Sequence, residues 1–122
     1  DPEAEDALYV SQVKQFDEAT TDALLLLDSQ NKVRYVGNVL SELVSMRNQY
    51  AEGQNISDAC KDPGLAGTSI DLAESVKGSL GATQFATMDI NGVTRDVVAL
   101  GHKSASGEIR FVLVVVKMGG DD

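Results

Sequence analysis

Residues 81–117 read GATQFATMDINGVTRDVVALGHKSASGEIRFVLVVVK, and this stretch decides the fold. The run from Ala82 to Ile90 stops at Asn91-Gly92, the strongest short-range signal for a two-residue hairpin loop. A second run, Val93 to Lys103, ends in Ser104-Ala105-Ser106-Gly107, a longer loop closed near a glycine. The third, Glu108 to Met118, is rich in β-branched residues, which suit a pleated, half-buried surface. An antiparallel meander of three strands is expected. In its last strand Phe111, Leu113 and Val115 alternate with Val112, Val114 and Val116, so both faces are apolar. A sheet with one wet face does not read that way.

The segments before the meander supply its covers. Thr68-Ser69-Ile70-Asp71 has the form of a capping box, followed by Leu72, Val76 and Leu80 at four-residue spacing and by Gly81. A helix from about Ser69 to Leu80 is expected. Residues 51–67 show no sustained period; Gly53, Asp62-Pro63-Gly64 and Gly67 punctuate them, with one helical turn expected at Ile56 to Cys60. Asn38 caps an expected helix carrying Val39, Leu40, Leu43 and Val44 and reaching about Tyr50. Ala23 to Leu27 and Val33 to Val36 read as two strands joined by the turn cluster Asp28-Ser29-Gln30-Asn31. Before them, Tyr9, Val13 and Phe16 place a narrow apolar stripe on an otherwise polar helix over residues 3–19, with Asp1 as its cap.

The order predicts an α+β domain: five antiparallel strands, helices between strands two and three, and an N-terminal amphipathic flanking helix. Residues 1–19 form the flanking helix, 20–118 the domain and 119–122 a tail. At 122 residues, the chain is long enough for one domain with a real core. Ten basic residues against nineteen acidic ones give a net charge of −9, which opposes nucleic-acid binding and direct contact with an anionic membrane. No apolar run approaches the roughly 18 residues that a membrane span requires. A single cysteine, Cys60, excludes an internal disulfide framework and fits a reducing compartment. The start at Asp1, without Met, is expected of a piece excised from a longer protein.

This order and several local phrases resemble the PAS sensor domain family. There a strand-turn-strand phrase precedes the first helix, and Ala23-Leu24-Leu25-Leu26-Leu27-Asp28 with Val33-Arg34-Tyr35-Val36 fits it. The Asn91-Gly92 hairpin, the Ser104–Gly107 turn and the valine-rich Ile109–Val116 strand look like the second half of that family. The likeness covers about residues 20–118. Two departures stand out: Gly37 occupies the place of the usual asparagine, with Asn38 one position later, and the closing Asp-Ile-Thr phrase is missing.

The resemblance implies a ligand pocket between the inner sheet face and the middle helices. By position, Tyr50, Leu72, Phe85, Thr87, Val98, Leu100 and Val112 would line it; the plainer reading is that these side chains fill a closed core. His102, the only histidine, lies late in a strand rather than on the helix that carries the haem ligand in haem-binding relatives. Asp58-Ala59-Cys60-Lys61-Asp62 does not match the cysteine phrase of light-sensing relatives. No cofactor is therefore expected, neither haem nor flavin. No metal-site, phosphate-loop or nucleophile motif appears, so no enzymatic activity is expected of these residues.

The expected role is a sensory and dimerisation module of a bacterial signalling protein, a sensor histidine kinase or a chemoreceptor. It would lie in the cytoplasm, as the soluble part of a membrane-linked receptor where the parent has one. The expected partners are a second copy, an attached output domain and a small-molecule ligand. Tyr9, Val13 and Phe16, against the outer sheet face, are expected to form the dimer and coupling surface. A ligand-free interaction scaffold is the first alternative and a haem- or flavin-bound redox sensor the second.

Overall fold

The computed structural model describes residues 1–119, so the expected tail lies outside the described residues beyond Gly119. Helix α1 (Pro2–Ala19) starts where the Asp1 carboxylate accepts the Glu3 amide and Pro2 enters the first turn. Strands β1 (Ala23–Asp28) and β2 (Val33–Val36) follow, then helices α2 (Asn38–Val44), α3 (Asn48–Ala51), α4 (Ile56–Ala59) and α5 (Pro63–Gly78), and strands β3 (Gln84–Ile90), β4 (Val93–Lys103) and β5 (Ile109–Val116). The strands form one antiparallel sheet in the order β2-β1-β5-β4-β3. The last strand thus inserts between the first hairpin and the meander. This is the α+β arrangement, with a PAS-like sheet, that the sequence predicts.

Because β1 and β5 are the central pair, both of their faces are buried, which explains the unbroken runs Ala23–Leu27 and Phe111–Val116. Leu25, Leu27, Val112 and Val114 point to an inner layer closed by Leu40, Ile56, Leu65, Leu72 and Val76 from the helices. Leu24, Leu26, Phe111, Leu113 and Val115 point the other way, toward Val13 of α1.

Two helix boundaries differ from the sequence expectation. The helix expected from Asn38 to Tyr50 is broken at Ser45, which takes a left-handed conformation (φ 55°) and separates α2 from α3. Helix α5 begins at Pro63, six residues before the expected start. Asp62 is its cap, accepting from the Gly64 and Leu65 amides, and Pro63 sits in the first turn, where no intrahelical donor is missed. The residues read as a capping box lie inside this helix.

The hairpin between β3 and β4 turns at Asn91 (φ 53°) and Gly92 (φ 80°), both left-handed, as a type I′ turn requires. This fixes the register at Ile90 opposite Val93 and hence the face on which every β3 and β4 side chain lies.

Candidate functional site

That register corrects most of the expected pocket. Phe85, Thr87, Val98 and Leu100 face outward, away from the middle helices, in line with outer-face Leu113 and Val115 of β5. Phe85 is 77% exposed and Leu100 38%. The inner positions belong instead to Ala86, Met88, Ile90, Val97 and Ala99. Tyr50 is solvent-exposed, on the rim of an open groove of about 390 Å³ that Met46, Arg47, Ala51, Gln54 and Lys61 also line. Only Leu72 and Val112 of the expected set lie in the inner layer, and there they are packed core side chains.

The expected coupling surface divides as well. Val13 is buried against the chain's own sheet, among Leu24, Leu26, Phe111 and Leu113. Tyr9 stacks on His102, with ring centroids 3.8 Å apart and planes within 12°, and also on Phe111 at 5.4 Å. Val13 is thus enclosed within the chain, whereas Tyr9 is half-buried. Phe16, 47% exposed, is open to solvent.

Polar ties hold α1 at both ends. Near its start Asp6 pairs with Arg110 of β5 through both carboxylate oxygens, one of them 3.1 Å from Arg110 Nε. The hydrogen bonds from Arg110 hold the Asp6 carboxyl below the ordinary range, against an opposing effect of burial. At the far end is Asp17, only 4% exposed. Its Oδ2 accepts from the Tyr35 hydroxyl at 2.7 Å and from the backbone N–H of Asn38 at 3.0 Å. Burial, then the neighbouring Asp17 carboxylate, pushes the Tyr35 phenol well above its ordinary value.

Asn38 is the first residue of α2, and the capping position before it, Gly37, offers no side chain. Asp17 therefore satisfies, from another helix, one of the amides left free at the start of α2. The arrangement also accounts for glycine at position 37, where a β-carbon would collide with Asp17 Oδ1. That oxygen is buried with no hydrogen-bond partner among the described residues. The sequence shows Asp17 only as one acid on a polar helix face, and no local signal marks its tertiary role.

His102 is taken up by the stack on Tyr9. Cys60 is buried with its thiol 3.5 Å from the Asp62 carbonyl, and burial pushes that thiol up. Among the described residues no cluster of three or more histidine, cysteine or acidic side chains is placed to hold a metal ion. No described helix is long and apolar enough to cross a membrane.

The fold is that of PAS domains. A sensory box sensor histidine kinase from Vibrio cholerae superposes with a TM-score of 0.67 at 15% identity, over 94% of this chain and 93% of that one. The PAS domain of BvgS from Bordetella pertussis gives 0.65 at 13% identity, over 90% and 86%. Phage VqmA in complex with DPO gives 0.73 at 16% identity, covering 96% of this chain but 56% of that one. No family model and no curated protein matches the sequence.

Proposed function

We propose that this domain is a non-catalytic sensory and dimerisation module of a bacterial signalling protein, a sensor histidine kinase or a chemoreceptor. It relays the binding of a partner or small molecule to an attached output domain and needs no bound cofactor. The observation that carries this reading is the Asp17 bridge. One carboxylate oxygen touches both Tyr35 of the sheet and the first amide of α2, so displacement of the helical layer reaches α1 directly. Binding that favours one arrangement of α2 shifts the population of docked α1 by the same coupling free energy.

The packing of Leu25, Leu72, Val76, Ala99, Val112 and Val114 favours a partner, or a ligand that opens the layer, over a ready-made cavity. The open groove beside Tyr50 and Arg47 is the natural entry to that layer. The test is native mass spectrometry of the purified domain with an absorbance scan, followed by hydrogen exchange with whatever binds. A bound mass or partner that changes exchange in α1 supports the relay. Binding that leaves α1 unchanged contradicts it.

A further inference from the structure

The two edges of the sheet are finished differently. On β2, the outward amide and carbonyl of Val33 bond Gln54 and Gly53, and both backbone groups of Val36 bond the side-chain amide of Asn48. The carbonyl of Asn31 accepts the Ile56 amide at 3.0 Å, so the chain itself seals this edge. On β3 there is no such cover. In a two-residue hairpin Ile90 and Val93 exchange both backbone bonds, so Gln84, Ala86, Met88 and Ile90 turn their backbone groups toward β4. Those of Phe85, Thr87 and Asp89 turn outward, and among the described residues no group bonds them. An open edge of this kind is a template for another strand.

The same residues carry outer-face side chains, and their sequence is symmetrical: Thr83-x-Phe85-x-Thr87. We propose that β3 pairs antiparallel with β3 of a second copy, on a two-fold axis at Phe85. In that register Phe85 faces Phe85 of the other copy, and each Thr87 faces the other copy's Thr83. An aromatic pair between two threonine pairs is a favourable cross-strand set, and no like charges stand opposite. Both phenylalanines lie on the same side of the joined sheet, beside the exposed Leu100, and become covered. A two-fold operator makes this contact self-complementary and closed. A different partner strand would have to match one palindrome by chance, whereas a second copy supplies it. The net charge of −9 on each copy opposes association, so dimerisation should strengthen with salt.

This inference rests on the self-association part of the proposed function and leaves the relay untouched. The test is Thr87→Pro, followed by sedimentation across a concentration series. The Thr87 amide points away from β4, so proline removes a donor only from the open edge, where it is tolerated. The wild type should dimerise, and Thr87→Pro should weaken the dimer by about tenfold or more with an unchanged circular dichroism spectrum. In parallel, the Phe85 and Thr87 amides of the wild type should become protected from exchange as concentration rises, a readout independent of how the variant folds. A dimer that survives Thr87→Pro, or edge amides that stay unprotected while the dimer is populated, overturns the edge pairing. If Phe16→Asp then dissolves that dimer, self-association through α1 stands without it. A wild type that is monomeric throughout overturns both.

Discussion

The two faces of the sheet are closed by different means. The inner face lies under four helices whose apolar residues interlock with it in one continuous buried cluster. The outer face lies under one helix, anchored by a single buried valine, an aromatic stack and two carboxylate ties, and its β3 side stays open. The inner closure is dominated by apolar burial, which is non-directional and extensive. The outer closure relies on a few directional contacts that break one at a time. The proposed signalling role calls for such an asymmetry: one face that keeps the fold while the other is free to respond.

The strongest way to sharpen the contrast is to cut into the inner layer. Leu25→Ala removes a fully buried side chain beneath the helices and should cost about 3 kcal/mol of global stability, read as a lower urea midpoint. Next comes the far tie of α1. Gly37→Ala places a methyl group against Asp17 Oδ1 and should cost about 2 kcal/mol, with exchange in α1 and α2 rising more than in α5. Equal acceleration in all three would remove Asp17 as a specific link.

A smaller effect is expected from pH. The folded Asp6 carboxyl is held below its ordinary value of 3.8, so its contribution is fully present above the unfolded value. It fades as pH falls through the lowered folded value. Asp6→Asn should therefore flatten the acid side of the stability curve while leaving the inner layer intact, as thermal melts from neutral to acid pH would show. The least effect on the monomer belongs to Phe85→Ser, which lies outside both clusters and should change stability by no more than about 0.5 kcal/mol, while weakening any dimer.

Much of the fold was legible because its signals are local. The Asn91-Gly92 turn, the Asp28–Asn31 turn and the doubly apolar β5 each follow from residue type and period. The faces of β3 and β4 are not legible in this way, because both parities carry apolar residues and size makes Phe85 look like a core residue. A correcting signal was present: Thr87 and Asp89 share the parity of Phe85, and Thr94 and Asp96 that of Val98 and Leu100. Asp62-Pro63 is a cap followed by a first-turn proline, but two nearby glycines made it read as a loop. The Asp17 bridge, joining residues 18 and 21 positions apart, lies beyond any local pattern.

Native-state hydrogen exchange, resolved by residue and followed into low denaturant, tests the asymmetry most directly. Amides of α1 should exchange through an opening smaller than global unfolding, while those of β1, β5 and the middle of α5 exchange only when the whole domain unfolds. Exchange of α1 in step with β1 at every denaturant concentration would mean that both faces are closed equally, and would contradict the account.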